Sequence, residues 1–190
     1  MRRPKVYVTS RSFGQYSKEA LELIKSVAEI EQNPYARAMS EEELLKAVKE
    51  VDGLIVGGDE ISRKIIEHAK KLKIIARHGV GVDNIDLKAA TDNNVIVTYT
   101  PHVNADAVAD YTIGLILSVA RRIPQAHLSM RQGKWEATKF IGAEVYGKTL
   151  GIIGLGVIGY RVAKRAKGFD VRILAYDPYI SHERAREVSA

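Results

Sequence analysis

The chain has 190 residues, 46% hydrophobic and 27% charged, enough to bury a core in one large or two small domains. Zero cysteines exclude disulfides, thiolate catalysis and cysteine-bound zinc. No apolar run reaches the length of a membrane span and residues 1–4 (MRRP) lead straight into a strand instead of a signal-peptide core, so a cytoplasmic protein is expected. The net charge of +6 comes from Lys and Arg interspersed with Glu along candidate helices, which reads as a solvated surface able to attract anions and not as a nucleic-acid interface.

Residues 5–9 (KVYVT) are expected to form a first strand, followed by a helix over 17–27 and a weak strand near 29–31. Ser40-Glu41-Glu42-Glu43 is a capping box in which the Ser40 hydroxyl accepts from the Glu43 amide and Glu43 reaches back, so a helix starts there and runs to about residue 51. A strand over 54–56, a helix over 61–72, a strand over 73–76 (KIIA), a short helix over 87–92 and a last strand over 95–98 (VIVT) follow. Strands alternating with helices across short connections imply a parallel, doubly wound sheet, in a first unit ending near Pro101.

The next stretch, 104–122 (NADAVADYTIGLILSVARR), is long and strongly apolar, with Val108, Ile113, Leu115, Ile116 and Val119 covering more than one helix face. Such a helix is expected to be buried between domains or subunits. Pro124 starts a further helix to about residue 132, and 134–146 reads as a loop.

Residues 147–177 (GKTLGIIGLGVIGYRVAKRAKGFDVRILAYD) then combine a strand over 149–153, expected to be buried on both faces, with a three-glycine turn, an amphipathic helix and a second strand over 171–176. In a dinucleotide-binding βαβ unit each glycine has a task. Gly154 permits the tight turn, Gly156 lets backbone approach a pyrophosphate, and Gly159 lets the helix sit close on the strand. The first helical amides, at Val157 and Ile158, point with the positive dipole end at that pyrophosphate, and Gly168 is expected to close the helix. Asp177, 18 residues beyond Gly159, stands at the carboxyl end of the second strand, where it can accept hydrogen bonds from an adenosine ribose. Like charges about 4 Å apart at an effective dielectric near 20 repel by roughly 4 kcal/mol, so a ribose 2′-phosphate is disfavoured there and NAD is preferred over NADP. The bare alternative is a glycine-rich turn of another α/β protein with an incidental acid.

A second constellation, residues 77–86 (RHGVGVDNID), follows the KIIA strand and so lies at the carboxyl edge of a parallel sheet, where ligands bind. Glycines on both sides of Val80 expose backbone amides that suit a carboxylate or phosphate, although a merely tight turn accounts for the same residues.

With both motifs in view, the chain resembles the D-isomer-specific 2-hydroxyacid dehydrogenases along nearly its whole length, most specifically in RHGVGVDNIDLKAAT, the 104–122 segment, IPQAHLSMRQGKW and GKTLGIIGLGVIG through AYDPY. The resemblance implies a flavodoxin-like substrate domain over 1–101 and the start of a Rossmann NAD-binding domain over 102–190, incomplete at its carboxyl end. It implies substrate carboxylate contacts at Val80 and Gly81, pyrophosphate contacts at Val157 and Ile158 and ribose contact at Asp177. Asn104, on the substrate side, and Thr112, on the cofactor side, match positions near the nicotinamide. Two departures stand out: Asp110 where the family usually has Glu, and Val157 in place of a frequent Arg.

Oxidising a 2-hydroxy acid requires a base for the hydroxyl proton and a cation beside the nicotinamide. The Arg, acid and His that the resemblance implies for these tasks have no counterparts in the chain, so no catalytic residue and no metal ligand is assigned. His68, His127 and His182 sit on expected helices or the tail; His78 and His102 lie nearer the cleft but lack a paired acid. Only thirteen residues follow Asp177, too few for a six-stranded Rossmann sheet, so a fragment that is inactive alone is expected. The leading expectation is an NAD-linked dehydrogenase acting on 3-phosphoglycerate, as a homodimer or with a complementing carboxyl-terminal chain, away from nucleic acid and membrane. Glyoxylate or hydroxypyruvate reduction, a non-enzymatic NAD-responsive module and a functionless remnant are the alternatives.

Overall fold

The computed structural model describes residues 2–189, which divide into two units, 1–101 and 102–190. In the first, β1 (Lys5–Val8), α1 (Glu19–Val27), β2 (Glu29–Gln32), α2 (Glu41–Ala47), β3 (Gly53–Val56), α3 (Arg63–His68), β4 (Ile74–Arg77), α4 (Leu87–Asp92) and β5 (Ile96–Thr98) alternate as the sequence pattern requires. All four strand pairings are parallel and the order is β2-β1-β3-β4-β5, the doubly wound flavodoxin-like arrangement. Every residue of β3 is buried, because it lies mid-sheet with helices over both faces. Leu44 and Val48 from the α2 region, Ile65 and Ile66 from α3 and Ile75 from β4 fill the core. β2 is a polar edge strand, EIEQ, whose charge discourages pairing with a further chain.

The capping box forms as expected: the Glu43 amide donates to Ser40 Oγ and the Ser40 amide donates to the Glu43 carboxylate. Helix lengths differ from the sequence reading. α2 stops at Ala47, with Val48 as its C-cap and Val51 already buried ahead of β3. α3 begins only at Arg63, because Ile61 makes a parallel bridge to Ile85 and is fully buried there. Extended pairing overrides helical periodicity at that residue.

The second unit comprises α5 (Ala105–Ala120), α6 (Ile123–Arg131, with Pro124 in its first turn), a 3₁₀ turn at Ala137–Phe140, β6 (Thr149–Ile153), α7 (Val157–Ala166), β7 (Arg172–Tyr176) and α8 (His182–Glu187). β6 and β7 pair in parallel from Thr149↔Arg172 to Ile153↔Tyr176, and α7 packs on α5 as well as on the strands. Asp106 and Asp110 of α5 form ion pairs with Arg161 and Arg165 of α7, so the departure at Asp110 is absorbed by a local partner. Among the described residues no helix is long and apolar enough to cross a membrane.

Three readings need correction. The 149–153 strand is not buried on both faces: Leu150 and Ile152 are half-buried while Ile153 is 91% exposed, since only one face meets α7. Within the single chain the apolar helix α5 buries only Ala105 and Ala109 and leaves Tyr111 and Val119 exposed, which leaves the expected burial against a second subunit untested. Gly168 does not close α7; it sits in a 3₁₀ turn over Lys167–Phe169, and Asp170 takes the left-handed closing conformation with φ 51°. The polar tail contains α8, capped by Ser181 Oγ accepting from the Arg184 amide and anchored by buried Val188 in the core with Leu155, Ala163 and Ile173.

Candidate functional site

β6 and β7 deliver two features to one place, a glycine turn and a carboxylate. The chain leaves β6 through Gly154, whose φ of 89° suits a residue without Cβ and whose amide donates to the Tyr176 carbonyl. Gly156 is the N-cap of α7. At Gly159 a Cβ would lie 2.1 Å from the Gly154 carbonyl oxygen, so helix and strand approach so closely that only hydrogen fits. At Gly156 a Cβ would meet nothing within 4 Å. The fold itself therefore requires glycine at 159 and leaves space at 156.

The amides that open α7, at Val157 and Ile158, have no preceding helical carbonyl to bind, and the first turn carries no acidic residue to satisfy them. They point with the positive end of the helix dipole into the space beside Gly156, which is what an anion needs. Asp177 stands one residue past β7. Its Oδ2 accepts from the Leu155 amide at 2.8 Å and its Oδ1 from the Tyr179 amide at 2.9 Å, so the carboxylate ties the glycine turn to the end of the second strand. Each oxygen keeps a further lone-pair direction for an outside donor.

In the first unit the strand order reverses beside β1, and the carboxyl ends of β1, β2, β3 and β4 surround a cleft of about 830 Å³ that includes Ser10, Asn33, Gly57, Arg77 and His78. The turn after β4 is held from within. The Arg77 side chain donates through Nε to the Gly81 carbonyl at 2.9 Å and through a terminal nitrogen to the His78 carbonyl at 2.6 Å. The Thr100 amide and hydroxyl both donate to the Gly79 carbonyl, each at 3.0 Å. A Cβ on Gly79 would stand 2.5 Å from the Arg77 guanidinium, which explains glycine there. The amides of Val80 and Gly81 pair with no backbone carbonyl among the described residues, leaving two adjacent donors just beyond the cleft-lining His78 in sequence.

Side chains beyond the cleft lining also fix the neighbouring backbone. Asn84 donates to the Gly57 and Asp59 carbonyls, and buried Asp59 accepts from the Met39 amide at 2.8 Å. Arg37 binds Glu43 through two nitrogens, and that pairing, with the Ser40 amide, holds the Glu43 carboxyl down at about 2. Ser10 Oγ lies 2.7 Å from His78 Nδ1, and the Phe13 ring stands edge-on to the imidazole at 5.7 Å. No local pattern signals the Ser10 and His78 contact, because the two are 68 residues apart and meet only through strand order.

Asn104 is the exposed N-cap of α5 with no side-chain capping bond, and the Thr112 hydroxyl donates to the Val108 carbonyl within the same helix at 2.7 Å. His102 has a left-handed backbone, φ 65°. Neither His78 nor His102 forms an ion pair with an acid, and no cluster of three potential metal ligands occurs among the described residues.

The family model described as D-isomer specific 2-hydroxyacid dehydrogenase, catalytic domain, matches residues 6–189. A D-3-phosphoglycerate dehydrogenase of Methanocaldococcus jannaschii is 47% identical over 171 residues, 90% of this chain and 32% of that protein. Among solved structures, an NAD+-bound 3-phosphoglycerate dehydrogenase of Entamoeba histolytica superposes with TM-score 0.73 at 32% identity, covering 96% of this chain and 57% of that one. The apo D-lactate dehydrogenase of Escherichia coli gives TM-score 0.78 at 31% identity over 97% and 58% of the respective chains. The chain thus spans about a third of the length of the curated relative and somewhat more than half of the solved chains.

Proposed function

From a chain that belongs to the D-isomer specific 2-hydroxyacid dehydrogenase family, we infer an NAD-dependent oxidoreductase of D-2-hydroxy acids with 3-phosphoglycerate as its leading substrate. The observation that carries the cofactor assignment is the contrast between two glycines of one turn. Gly159 is required by the protein's own backbone, whereas Gly156 faces open space at a helix start and so leaves room there for a pyrophosphate.

The residues present fit a dinucleotide. The free amides of Val157 and Ile158 would hold the pyrophosphate, and Asp177, its carboxylate oriented by Leu155 and Tyr179, would accept from the adenosine ribose. NAD supplies the hydride acceptor. The remaining tasks belong to the chain: the Val80 and Gly81 amides bind the substrate carboxylate, and the Arg77 side chain keeps both amides in place. Asn104 and Thr112 belong to the nicotinamide side of this reading. Proton transfer has no assigned residue, since neither His78 nor His102 is paired with a carboxylate that would orient it as a base. The 190-residue chain alone is therefore expected to bind both ligands and not to turn over. Exposed Tyr111, Leu115 and Val119 on α5 offer an apolar face for a second subunit.

Calorimetric titration with NADH tests the assignment. The wild-type chain should bind NADH more tightly than NADPH, and NADH formation from 3-phosphoglycerate should arise only when a carboxyl-terminal half is supplied. A folded chain that shows no heat with NADH overturns the reading.

A further inference from the structure

The cleft of the first unit is lined by Arg11, Arg77 and His78 and by no aspartate or glutamate. These groups differ in how they are used. Arg77 is turned toward its own chain, bound to the Gly81 and His78 carbonyls. Arg11 spends one nitrogen on the Ala36 carbonyl, at 3.0 Å, which anchors the guanidinium at the cleft and leaves most of its five N–H donors available. His78 is oriented by Ser10, whose hydroxyl, on a residue only 7% exposed at the end of β1, takes up Nδ1. With the ring also braced by Phe13, Nε2 is the imidazole atom left for the cleft.

We propose that Arg11 and His78 are specificity-determining residues that hold a second anionic group of the substrate, remote from the carboxylate bound at Val80 and Gly81. The proposal rests on the reading of the Gly79 to Gly81 turn as a carboxylate site. His78, which lines the cleft, lies two residues before Val80, so Nε2 and the two amides belong to one short segment of chain, within reach of the two ends of one small acid. A neutral hydroxymethyl there would only exchange water for weak hydrogen bonds. A phosphoryl or second carboxylate gains charge-assisted bonds in a cleft whose lining carries no competing acid. Anchoring by Ala36 and Ser10 means that little side-chain order is lost when the anion arrives.

The test is calorimetric titration of the chain with D-glycerate, 3-phosphoglycerate and D-malate at low and high salt. Either acid with a second anionic group should bind about tenfold more tightly than D-glycerate at low salt, with the gap narrowing at high salt. Arg11→Gln and His78→Asn should each shrink that ratio at least about threefold, while Arg131→Gln, on an exposed arginine of α6, should leave it intact. Equal affinities for the acids with and without a second anionic group, or a ratio unchanged in both cleft variants, overturns the proposal while leaving the carboxylate site standing. Binding of none of the three acids overturns the carboxylate site and the proposal together, and NADH titration of the same samples shows whether the cofactor reading survives. Variants that retain NADH binding and the wild-type circular dichroism spectrum are folded, so their ratios report on the cleft.

Discussion

The two units present glycine-rich loops of similar composition that are shaped by different means. In the turn after β4, glycine is demanded by a side chain: the Arg77 guanidinium occupies the space beside Gly79 and binds the Gly81 carbonyl. In the turn after β6, glycine is demanded by backbone, because the Gly154 carbonyl fills the place where a Gly159 Cβ would go. A guanidinium can swing away and a helix packed on a strand cannot. The same residue type therefore carries different costs of substitution in the two loops, and the backbone near the first loop is braced by further polar side chains, Asn84, Asp59 and the Arg37 pair with Glu43.

The largest expected effect follows from the rigid loop. Gly159→Val should destabilise the second unit by about 3 kcal/mol or more, since neither contacting backbone can relax. Urea unfolding read through Trp135, the chain's single tryptophan, checks this. Gly79→Ala should cost less, and its cost should fall further in an Arg77→Ala background; equal penalties at 79 and 159 would erase the distinction between the loops. Gly156→Val sharpens it from the other side. With open space at that position it should lose only about 1 kcal/mol as a poorer N-cap, yet lower NADH affinity about a hundredfold by intruding on the pyrophosphate.

These contrasts also mark what the sequence could reveal. The parallel first sheet, the capping box at Ser40 and the glycine turn were legible because each is local: period, cap and spacing lie within a few residues. Ile61 misled because helical periodicity over 61–72 continued through a residue that long-range pairing with Ile85 claimed. Ile153 misled because apolar composition states that a surface is to be covered and not by what. α8 was missed although Ser181 is an ordinary cap, because its fully buried anchor is one residue, Val188, helped only by partly buried Ile180 and Ala185. The anchoring of the candidate site was least visible. The bond of Asp177 to the Leu155 amide, the bond of Arg77 to the Gly81 carbonyl and the meeting of Ser10 with His78 each need the fold to exist first.

Asp177 is the exception within the second loop, a side chain that braces a backbone-defined turn. An amide offers one acceptor oxygen where the carboxylate offers two, so Asp177→Asn leaves either the Leu155 or the Tyr179 amide without its partner, at about 1 kcal/mol. NADH affinity should fall roughly tenfold and discrimination against NADPH should shrink, because the charge that repels a 2′-phosphate is gone. Titration with both nucleotides measures the two changes. A variant that keeps full preference for NADH would show that the carboxylate braces the turn without reading the ribose.

The smallest effect separates the units by pH. The Glu43 carboxyl is lowered from 4.5 to about 2, first by its hydrogen bond from Arg37 and then by the Ser40 amide. A group whose folded value is depressed stabilises above its unfolded value and loses that contribution as pH falls through the folded one. The contribution is thus complete above pH 4.5 and fades toward pH 2. Because the pair is exposed, the effect on overall stability is small. Glu43→Gln should lower the urea midpoint slightly at neutral pH, and the gap from wild type should close as pH falls from 4.5 toward 2. The glycine turn takes no support from Glu43, so NADH affinity at neutral pH should be the same in both proteins. If acid or the Glu43→Gln change weakened NADH binding in step with stability, the side-chain-held and backbone-held edges would be coupled, and the division drawn between them would fail.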